Sequence, residues 1–214
     1  MKQYAIADIH GCFEAFKNLL DRIGLNKSDA LYLLGDYINR GADSKKVVDT
    51  IMHLQEQGYR IHPLKGNHEE MIFDSIHLDD WTAGATETLT SFGISHLKEL
   101  DSKYLRWFRG LENSLEKEDY LFVHAGYDFQ NPTPTPCLWI KDWYDSIHHK
   151  WLKNRKIIHG HVPISQRDIQ QMLDRFDLDQ VLNIDNGCFL NNVSGYGSLC
   201  CVELTERVLW FERG

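Results

Sequence analysis

In the first third of the chain, continuous runs of hydrophobic residues alternate with segments in which hydrophobic residues are three or four positions apart. Short, nearly continuous apolar runs are typical of buried strands, whereas apolar residues three or four apart indicate helices that cover one face of a sheet. Strands are predicted at 3–7, 30–34 and 59–64, with helices at 13–23 and 44–57 between them. The order strand–helix–strand–helix–strand predicts a parallel sheet with right-handed crossover connections.

The rest of the chain follows these patterns less regularly. Residues 69–113 are predicted to be mainly helical, with apolar contacts such as Trp81 and an interruption at Gly84. Residues 127–136 hold three prolines and are predicted to form a surface loop. A tryptophan-rich helical stretch is expected next, and then a polar loop with a helical turn at 165–180. Further strands are predicted at 115–118, 120–124, 156–158, 181–184, 199–204 and 207–211, the last two as a hairpin.

Length and composition limit the classes of protein that the chain can belong to. Its 214 residues are enough for one domain, predicted to span 1–214, and its apolar (43%) and charged (25%) fractions are typical of globular proteins. A net charge of −8 argues against a general affinity for nucleic acid or anionic membranes. No apolar run approaches the roughly 20 residues that span a bilayer. The five cysteines are odd in number and lack metal-ligand spacing, so we expect a cytoplasmic protein with reduced thiols.

Residues of the types that bind metal ions follow the ends of the apolar runs. A buried strand followed by a glycine and a carboxylate, as at Gly35-Asp36, delivers that carboxylate to the carboxyl edge of a sheet, where open α/β folds bind ligands. Four other stretches repeat this arrangement. Together the five contribute two carboxylates, one amide and three imidazoles: Asp8, His10, Asp36, Asn67, His124 and His161.

This donor set narrows the choice of ion. Carboxylate and amide oxygens combined with imidazole nitrogens suit Mn²⁺, Fe or Zn²⁺ better than Ca²⁺ or Cu⁺. Six ligands are too many for one catalytic ion with open positions, but they suit two ions about 3.5–4 Å apart that share one carboxylate. Two such ions acidify the water between them. The sequence therefore predicts two divalent metal ions, with manganese expected first and iron or zinc as alternatives.

Five short motifs give the chain a family resemblance. They are DIHG (8–11), GDYINRG (35–41), GNHE (66–69), HAG (124–126) and GH (160–161). In this order and approximate spacing the chain resembles the metallophosphoesterase superfamily, and within it the phosphoprotein phosphatase branch with its small bacterial and phage enzymes. The resemblance covers nearly the whole chain, with 70–110 and 127–155 the least constrained parts. It implies an α/β fold of the calcineurin-like type, a two-sheet β-sandwich flanked by helices.

The resemblance also implies roles for single residues. Hydroxide held between the metals would attack phosphorus in line, without a phosphoenzyme intermediate. His68 would protonate the leaving oxygen as general acid, and Arg40 would grip phosphoryl oxygens with its planar guanidinium, next to Asn67. The metal ligands would divide into two sets that share Asp36: Asp8 and His10 for the first ion, and Asn67, His124 and His161 for the second.

Three residues depart from the family pattern. Asn39 stands where the family usually has an aspartate that favours the cationic form of the catalytic histidine, so we expect His68 to be a weaker acid. Symmetrical diadenosine polyphosphate hydrolases of this branch also lack that aspartate. Lys65 and Lys141 stand where phosphate-binding arginines are usual, and a lysine offers a point charge without bidentate geometry.

Simpler interpretations compete with these roles. Asp8 and Asp36 could cap the helices that follow them, since aspartate is a good N-cap. Arg40 could pair with Asp43, and the two candidate lysines could be ordinary solvated side chains. His159, beside the GH motif, is predicted not to be a ligand.

Three functions are compatible with this pattern. The first is a metal-dependent phosphomonoesterase, in particular a serine/threonine protein phosphatase that acts on a phosphorylated protein or a small phosphoester. The second is a hydrolase of diadenosine polyphosphates of the symmetrical type. The third is a catalytically weak module that binds phosphorylated partners.

Overall fold

The computed structural model describes residues 1–78 and 85–214, so Trp81 and Gly84 lie outside the described residues. The strands are β1 (Gln3–Ile6), β2 (Ala30–Leu33), β3 (Arg60–Pro63), β4 (Ser114–Lys117), β5 (Tyr120–Val123), β6 (Gly126–Asp128), β7 (Thr135–Cys137), β8 (Lys156–His159), β9 (Val181–Asn183), β10 (Ser198–Glu203) and β11 (Val208–Arg213). The helices are α1 (Phe13–Ile23), α2 (Ser44–Glu56), α3 (Asn67–Leu78), α4 (Ala85–Phe92), α5 (Ser102–Arg109), α6 (His149–Leu152), α7 (Gln166–Asp174) and α8 (Phe176–Asp179), with short 3₁₀ turns at Leu97–Glu99 and Tyr144–Ser146. None of the described helices is long and apolar enough to cross a bilayer.

Two sheets carry the fold. The first has the order β11-β10-β1-β2-β3, in which β1, β2 and β3 are parallel and β10 runs antiparallel to β1. The second has the order β4-β5-β8-β9, in which β5, β8 and β9 are parallel. The predicted strand–helix–strand–helix–strand unit is therefore present, and so is the predicted hairpin of β10 and β11.

Alternating side chains of the first sheet serve two cores. Tyr4 and Ile6 of β1 pack towards α1 and α2. Ala5 and Ala7, on the opposite face, pack against apolar residues of the second sheet such as Phe122. Since successive residues of a strand point to opposite faces, β1 is buried on both sides. The layers confirm the predicted sandwich of two sheets flanked by helices.

Three expectations for the second half differ from the structure. Residues 165–180 form α7 and α8 instead of a loop, with Ile169, Leu173 and Phe176 buried. The proline-rich segment is bounded by the short paired strands β6 and β7. The tryptophan-rich stretch is mostly irregular, and its only described helical parts are one 3₁₀ turn and the four-residue α6.

The parallel strands determine where polar residues converge. β1, β2 and β3 in one sheet and β5, β8 and β9 in the other each end in a turn that carries a polar side chain. Carboxyl ends of parallel strands meet at one edge of a sheet, and ligand sites of α/β proteins lie at such edges. The first residues after these strands build the site described next.

Candidate metal centre

The six predicted ligands form a continuous ring of close contacts. His10 Nε2 lies 3.4 Å from Asp36 Oδ2 and 4.0 Å from Asp8 Oδ2, while His124 Nε2 lies 3.6 Å from Asp36 Oδ1. Asn67 Oδ1 lies 2.8 Å from His124 Nε2 and 3.0 Å from His161 Nδ1. The ring closes where the backbone N–H of His161 donates to Asp8 Oδ1 at 3.1 Å. Asp36 belongs to two groups of mutually close ligand atoms, one with His10 and His68 and one with His124 and His161.

Hydrogen bonds to backbone carbonyl groups orient two of the histidines so that Nε2 faces the other predicted ligands. His10 Nδ1 lies 2.8 Å from the carbonyl oxygen of Ile38, and His124 Nδ1 lies 2.9 Å from that of Leu34. A carbonyl oxygen only accepts, so Nδ1–H donates in both rings and the lone pair sits on Nε2. Burial lowers the pKa of His10 to about 3 and that of His124 well below its usual value, which keeps both rings neutral. Neutral imidazoles with a fixed tautomer are the form that binds metal ions.

The contacts of Asn67 test whether a cation fits. Its carbonyl oxygen faces Nε2 of His124, which carries a lone pair, so two acceptors meet at 2.8 Å. His161 Nε2 is buried without a hydrogen-bond partner. Asn67 Oδ1 can accept from His161 Nδ1–H, but no hydrogen bond of the described residues donates to Nε2 of His124 or of His161. Buried acceptors without a donor are costly unless a positive charge lies among them. The donor set and its geometry therefore fit metal ions.

A third buried carboxylate, Asp185, was not predicted from the sequence. It follows β9, lines the same cleft, and accepts from the backbone N–H of Gly187 at 2.7 Å. Burial raises the pKa of Asp185 to about 7. Burial and the charge of Asp185 also raise the pKa of Asp8 well above its usual range. In their charged form, these buried carboxylates need cations to offset them.

Neither predicted aspartate caps the helix that follows it in the chain. The N-caps of α1 and α2 are Cys12 and Asp43. Asp36 instead accepts from the backbone N–H of His68 at 3.0 Å. The interpretation that Asp8 and Asp36 cap the helices that follow them is thus wrong.

The backbone at the site takes conformations that L-residues rarely adopt. Five of the nine described non-glycine residues with positive φ belong to the site, with φ between 45° and 76°: His10, Asp36, Asn39, Arg40 and His161. Such conformations persist only where the surrounding structure fixes them, and they concentrate at functional sites. Two glycines permit the close packing, because a Cβ on Gly66 would collide with Asp36 Oδ1 and one on Gly160 with Asp8 Oδ1.

Glu69 joins two of the motif turns. Its fully buried carboxylate accepts from the backbone N–H groups of Asp36 and Tyr37 at 2.8 Å each and from that of Gly66 at 3.0 Å. Burial raises the pKa of Glu69 to about 7, and the surrounding N–H groups counteract that shift. The carboxylate thereby fixes the turn that carries Asp36 relative to the turn that carries Asn67.

A hydrogen bond from Asn39 orients His68. Asn39 is in turn oriented by Thr88, a residue that was not predicted from the sequence. Asn39 Nδ2 lies 2.7 Å from His68 Nδ1. The hydroxyl of Thr88, on α4, donates to Asn39 Oδ1 at 2.7 Å. This bond turns the amide nitrogen towards the ring, so His68 Nδ1 accepts and the proton of the neutral ring is on Nε2. Burial lowers the pKa of His68 to about 4, with Arg40 and His161 adding to the effect.

The predicted phosphate-binding cations differ in their surroundings. Arg40 lines the cleft with its guanidinium 5.4 Å from the centre of the Phe189 ring, and Asp43 is paired with Lys46 instead. Lys141 also lines the cleft. Lys65 binds Glu70 at 2.9 Å and is not among the described residues that line it.

His159 lies beside the ring of ligands without joining it. Its Nε2 is 2.8 Å from the Tyr144 hydroxyl and its Nδ1 is 3.0 Å from the carbonyl oxygen of Gly160. Both ring nitrogens therefore have partners.

The sequence profile of the calcineurin-like phosphoesterase family matches residues 1–187. The chain belongs to this family. The membership confirms the predicted superfamily and supports the predicted enzyme class, a metal-dependent phosphoric ester hydrolase. The family uses a dinuclear metal centre, and the two ligand groups that share Asp36 are candidates for it.

Two sequence relatives of this calcineurin-like phosphoesterase are both named symmetrical bis(5'-nucleosyl)-tetraphosphatase. The protein from Nitrosomonas europaea is 34% identical over 129 residues, which cover 59% of this chain and 45% of the relative. The protein from Buchnera aphidicola is 31% identical over 183 residues, which cover 82% of this chain and 63% of the relative. The chain thus spans about half to two thirds of the length of these relatives.

Two solved structures share the fold. A candidate diadenosine tetraphosphatase has a TM-score of 0.70 at 17% identity, covering 100% of this chain and 93% of that one. A protein serine/threonine phosphatase from Saccharomyces cerevisiae has a TM-score of 0.68 at 16% identity, covering 100% of this chain and 80% of that one. At such identities the likeness shows the fold alone. The sequence relatives favour the second predicted function over the first, a protein phosphatase, for which they give no specific support.

Proposed function

We propose that this protein hydrolyses dinucleoside tetraphosphates at a phosphoanhydride bond, releasing two nucleoside diphosphates. The names of the sequence relatives support this proposal. The structural observation that carries it is the hydrogen bond from the Asn39 amide to His68 Nδ1.

The amide decides which form of His68 the site favours. A carboxylate at position 39 would accept a hydrogen bond from Nδ1–H and stabilise the imidazolium, whereas the amide donates a hydrogen bond to Nδ1 and stabilises the neutral ring. Thr88 holds the amide in this orientation. His68 then offers an Nε2–H that can hydrogen-bond to the leaving oxygen, but it lacks an acidic proton to transfer.

Leaving groups differ in how much they need that proton. The alkoxide of serine is strongly basic and has to be protonated as it departs. A nucleoside diphosphate leaves as a phosphate oxyanion whose conjugate acid has a pKa of about 6. A neutral hydrogen-bond donor is sufficient for the second leaving group and poor for the first. The site is therefore better matched to phosphoanhydrides than to phosphoserine.

The remaining residues of the cleft bind and orient the reacting phosphate. Arg40, held in place by Phe189, presents a guanidinium that can take two phosphoryl oxygens at once. We propose that Lys141 is a second residue that contacts the phosphates. We also propose that Lys65, which is not among the described residues that line the cleft, contacts phosphates farther from the metal centre. When bound, two cations at the ligand ring polarise phosphoryl oxygens and acidify water.

A substrate panel tests the proposal. The purified protein, loaded with Mn²⁺, is assayed on diadenosine tetraphosphate, on a phosphoserine peptide and on p-nitrophenyl phosphate, with products separated by anion-exchange chromatography. We expect ADP as the only nucleotide product and a higher kcat/KM for diadenosine tetraphosphate than for the peptide. Preference for the peptide would restore the protein phosphatase hypothesis, and no turnover of any substrate would favour the binding module.

Two finer expectations stay predictions. Manganese is the proposed ion, which metal analysis of the protein purified without added metal would test. A cytoplasmic location is proposed because polyphosphate nucleotides are the substrate class.

A further inference from the structure

A second cavity lies beside the metal cleft and has no role in the chemistry described so far. Its volume is about 510 Å³, against about 290 Å³ for the cleft itself. We call it the side cavity; its wall includes Lys141, Trp143, Tyr144, His159 and Asn183. Pockets for ligands of nucleoside size and above span about 300–1,000 Å³. The side cavity lies well within that range, whereas the cleft lies at its lower end.

Two neighbouring strands place the side cavity directly next to the cleft. β8 ends at His159 and β9 at Asn183, and these two residues are paired in register. Both line the side cavity, while the residues two positions later, His161 and Asp185, line the cleft. Alpha carbons two residues apart are separated by at most about 7.6 Å. A single extended ligand can therefore reach from one space into the other.

Tyr144 provides a fixed aromatic surface in the side cavity. Tyr144 as a whole residue is 43% exposed, yet its hydroxyl is bound to His159 Nε2 at 2.8 Å. Since His159 Nδ1 faces a carbonyl oxygen and must donate, Nε2 accepts from the tyrosine O–H. The ring makes a T-shaped contact with Trp143, with 4.9 Å between the ring centroids, and the Trp143 indole N–H donates to the Ala125 carbonyl at 3.1 Å. An exposed ring that is already held in place loses little entropy when a base stacks on it.

Lys141 stands between the two spaces. It lines both the cleft and the side cavity. The charge of Lys141 is also close enough to His161 to lower the pKa of that imidazole, after the larger effect of burial. An ammonium group at this boundary is placed to contact phosphates that run from the cleft towards the side cavity.

We propose that the side cavity binds one nucleoside of a dinucleoside polyphosphate, with its base stacked on Tyr144 and Lys141 contacting the phosphates that lead to the metal cleft. This inference rests on the proposed function, which names the substrate but no site for either nucleoside. Every base has a face that can stack on an aromatic ring, so stacking does not select one base. The proposed ligand is therefore a nucleoside in general and not one particular base.

The first test compares two substrates on one variant. Tyr144→Ala should lower the ratio of kcat/KM for diadenosine tetraphosphate to kcat/KM for p-nitrophenyl phosphate by about tenfold or more, the usual effect of removing a base–aromatic stack. The loss should appear mainly in KM. Tyr144→Phe is the matched control: it keeps the ring against Trp143, so its ratio should stay within about threefold of the parent. An unchanged ratio in Tyr144→Ala would overturn the subsite and leave the proposed function intact.

The second test does not depend on turnover. ADP is titrated into the Mn²⁺-loaded parent and Tyr144→Ala proteins by calorimetry, after circular dichroism shows that both are folded. Weaker binding to the variant, by about tenfold or more, supports the subsite even if diadenosine tetraphosphate is not hydrolysed. Equal binding to both proteins, or none to the parent, rejects it. The proposed function is tested independently of the subsite, by the substrate panel on the parent protein.

Discussion

The orientation of the Asn39 side-chain amide determines which protonation state of His68 the site favours. The motif GDYINRG already identifies this residue as a departure from the family pattern. The sequence cannot give the direction of the amide, because its orientation depends on Thr88, 49 positions further along the chain and in a segment without a motif. Once the amide nitrogen faces His68, the argument about leaving groups follows from hydrogen-bond rules alone.

Asn39→Asp should improve the hydrolysis of poor leaving groups. A carboxylate at this position favours the charged form of His68, so the pKa of the ring, about 4 in the parent, should rise and more imidazolium should be present at neutral pH. We expect kcat on a phosphoserine peptide to increase by about tenfold, with little change on diadenosine tetraphosphate. The descending limb of the pH–rate profile for the peptide should also move to higher pH.

The comparison of the two substrates is the internal control for this variant. A gain of equal size on both would indicate a general effect on folding or metal loading. No gain on the peptide at any pH would show that our account of position 39 is wrong.

Asp36→Ala should remove both metal ions and all activity. This carboxylate is common to both groups of ligand atoms and accepts the backbone N–H of His68. Metal content measured by mass spectrometry should fall from about two ions per chain towards zero. His159→Asn, which changes an imidazole outside the ring of ligands, is the comparison and should keep both ions. If Asp36→Ala retains two ions, the shared-carboxylate geometry is incorrect.

At the level of elements, the sequence predicts strands better than the segments between them. The central strands of the two sheets are short apolar runs, and the glycine or polar residue that follows marks the end of each run, whereas β3 (RIHP) and β4 (SLEK) are more polar. The helix α7 is missed because only Ile169 and Leu173 of its nine residues are buried, too few to make a helical period visible among polar neighbours. Asp185 is missed for a related reason: it follows a strand as the other ligands do, but belongs to none of the five motifs.

Gly66→Ala should disturb the turn that follows β3. A methyl group there meets Asp36 Oδ1 and the backbone nitrogen of Asp36, which are both fixed. We expect a loss of about 1–3 kcal/mol in the free energy of unfolding, together with weaker metal binding. Urea denaturation with and without Mn²⁺ measures both effects.

Gly110→Ala is the matched control for this change. Gly110 has φ −80°, and an added Cβ would lie 3.4 Å from the nearest atom, the carbonyl oxygen of Arg106. Its effect on stability should be small, and metal binding should be unchanged. Equal effects of the two substitutions would mean that the close approach to Asp36 is unimportant.

Over the whole molecule, the acidic net charge and the buried acidic site make stability depend on metal and pH together. Burial raises the pKa of both Asp185 and Glu69 to about 7, so between about pH 4 and pH 7 the folded, metal-free protein retains protons that the unfolded chain has lost. This contribution to stability falls as pH rises. Buried His10, with its pKa lowered to about 3, acts in the opposite direction up to its unfolded value of 6.5.

The two effects predict a pH-dependent benefit of metal. Above about pH 6.5 the histidine contribution no longer changes, so the metal-free protein should lose stability towards about pH 7.5. Burial also raises the pKa of the predicted ligands Asp8 and Asp36, so metal ions compete with protons on these two carboxyl groups and bind more tightly as pH rises. The increase in Tm caused by Mn²⁺ should therefore grow between about pH 5.5 and pH 7.5. Thermal unfolding with Mn²⁺ or with EDTA at each pH tests this, and a constant increase would contradict it.

Glu69 has a consequence for the choice of ion. It ties the turn of Asp36 to the turn of Asn67 through three backbone N–H groups, and these turns present ligands to the two metal positions. The separation of the two turns that carry the predicted ligands Asp36 and Asn67 is thus fixed by a side chain that is itself not a predicted ligand. We therefore expect manganese, iron and zinc all to bind at this site, with the rate and not the positions of the ligands changing from one ion to the next.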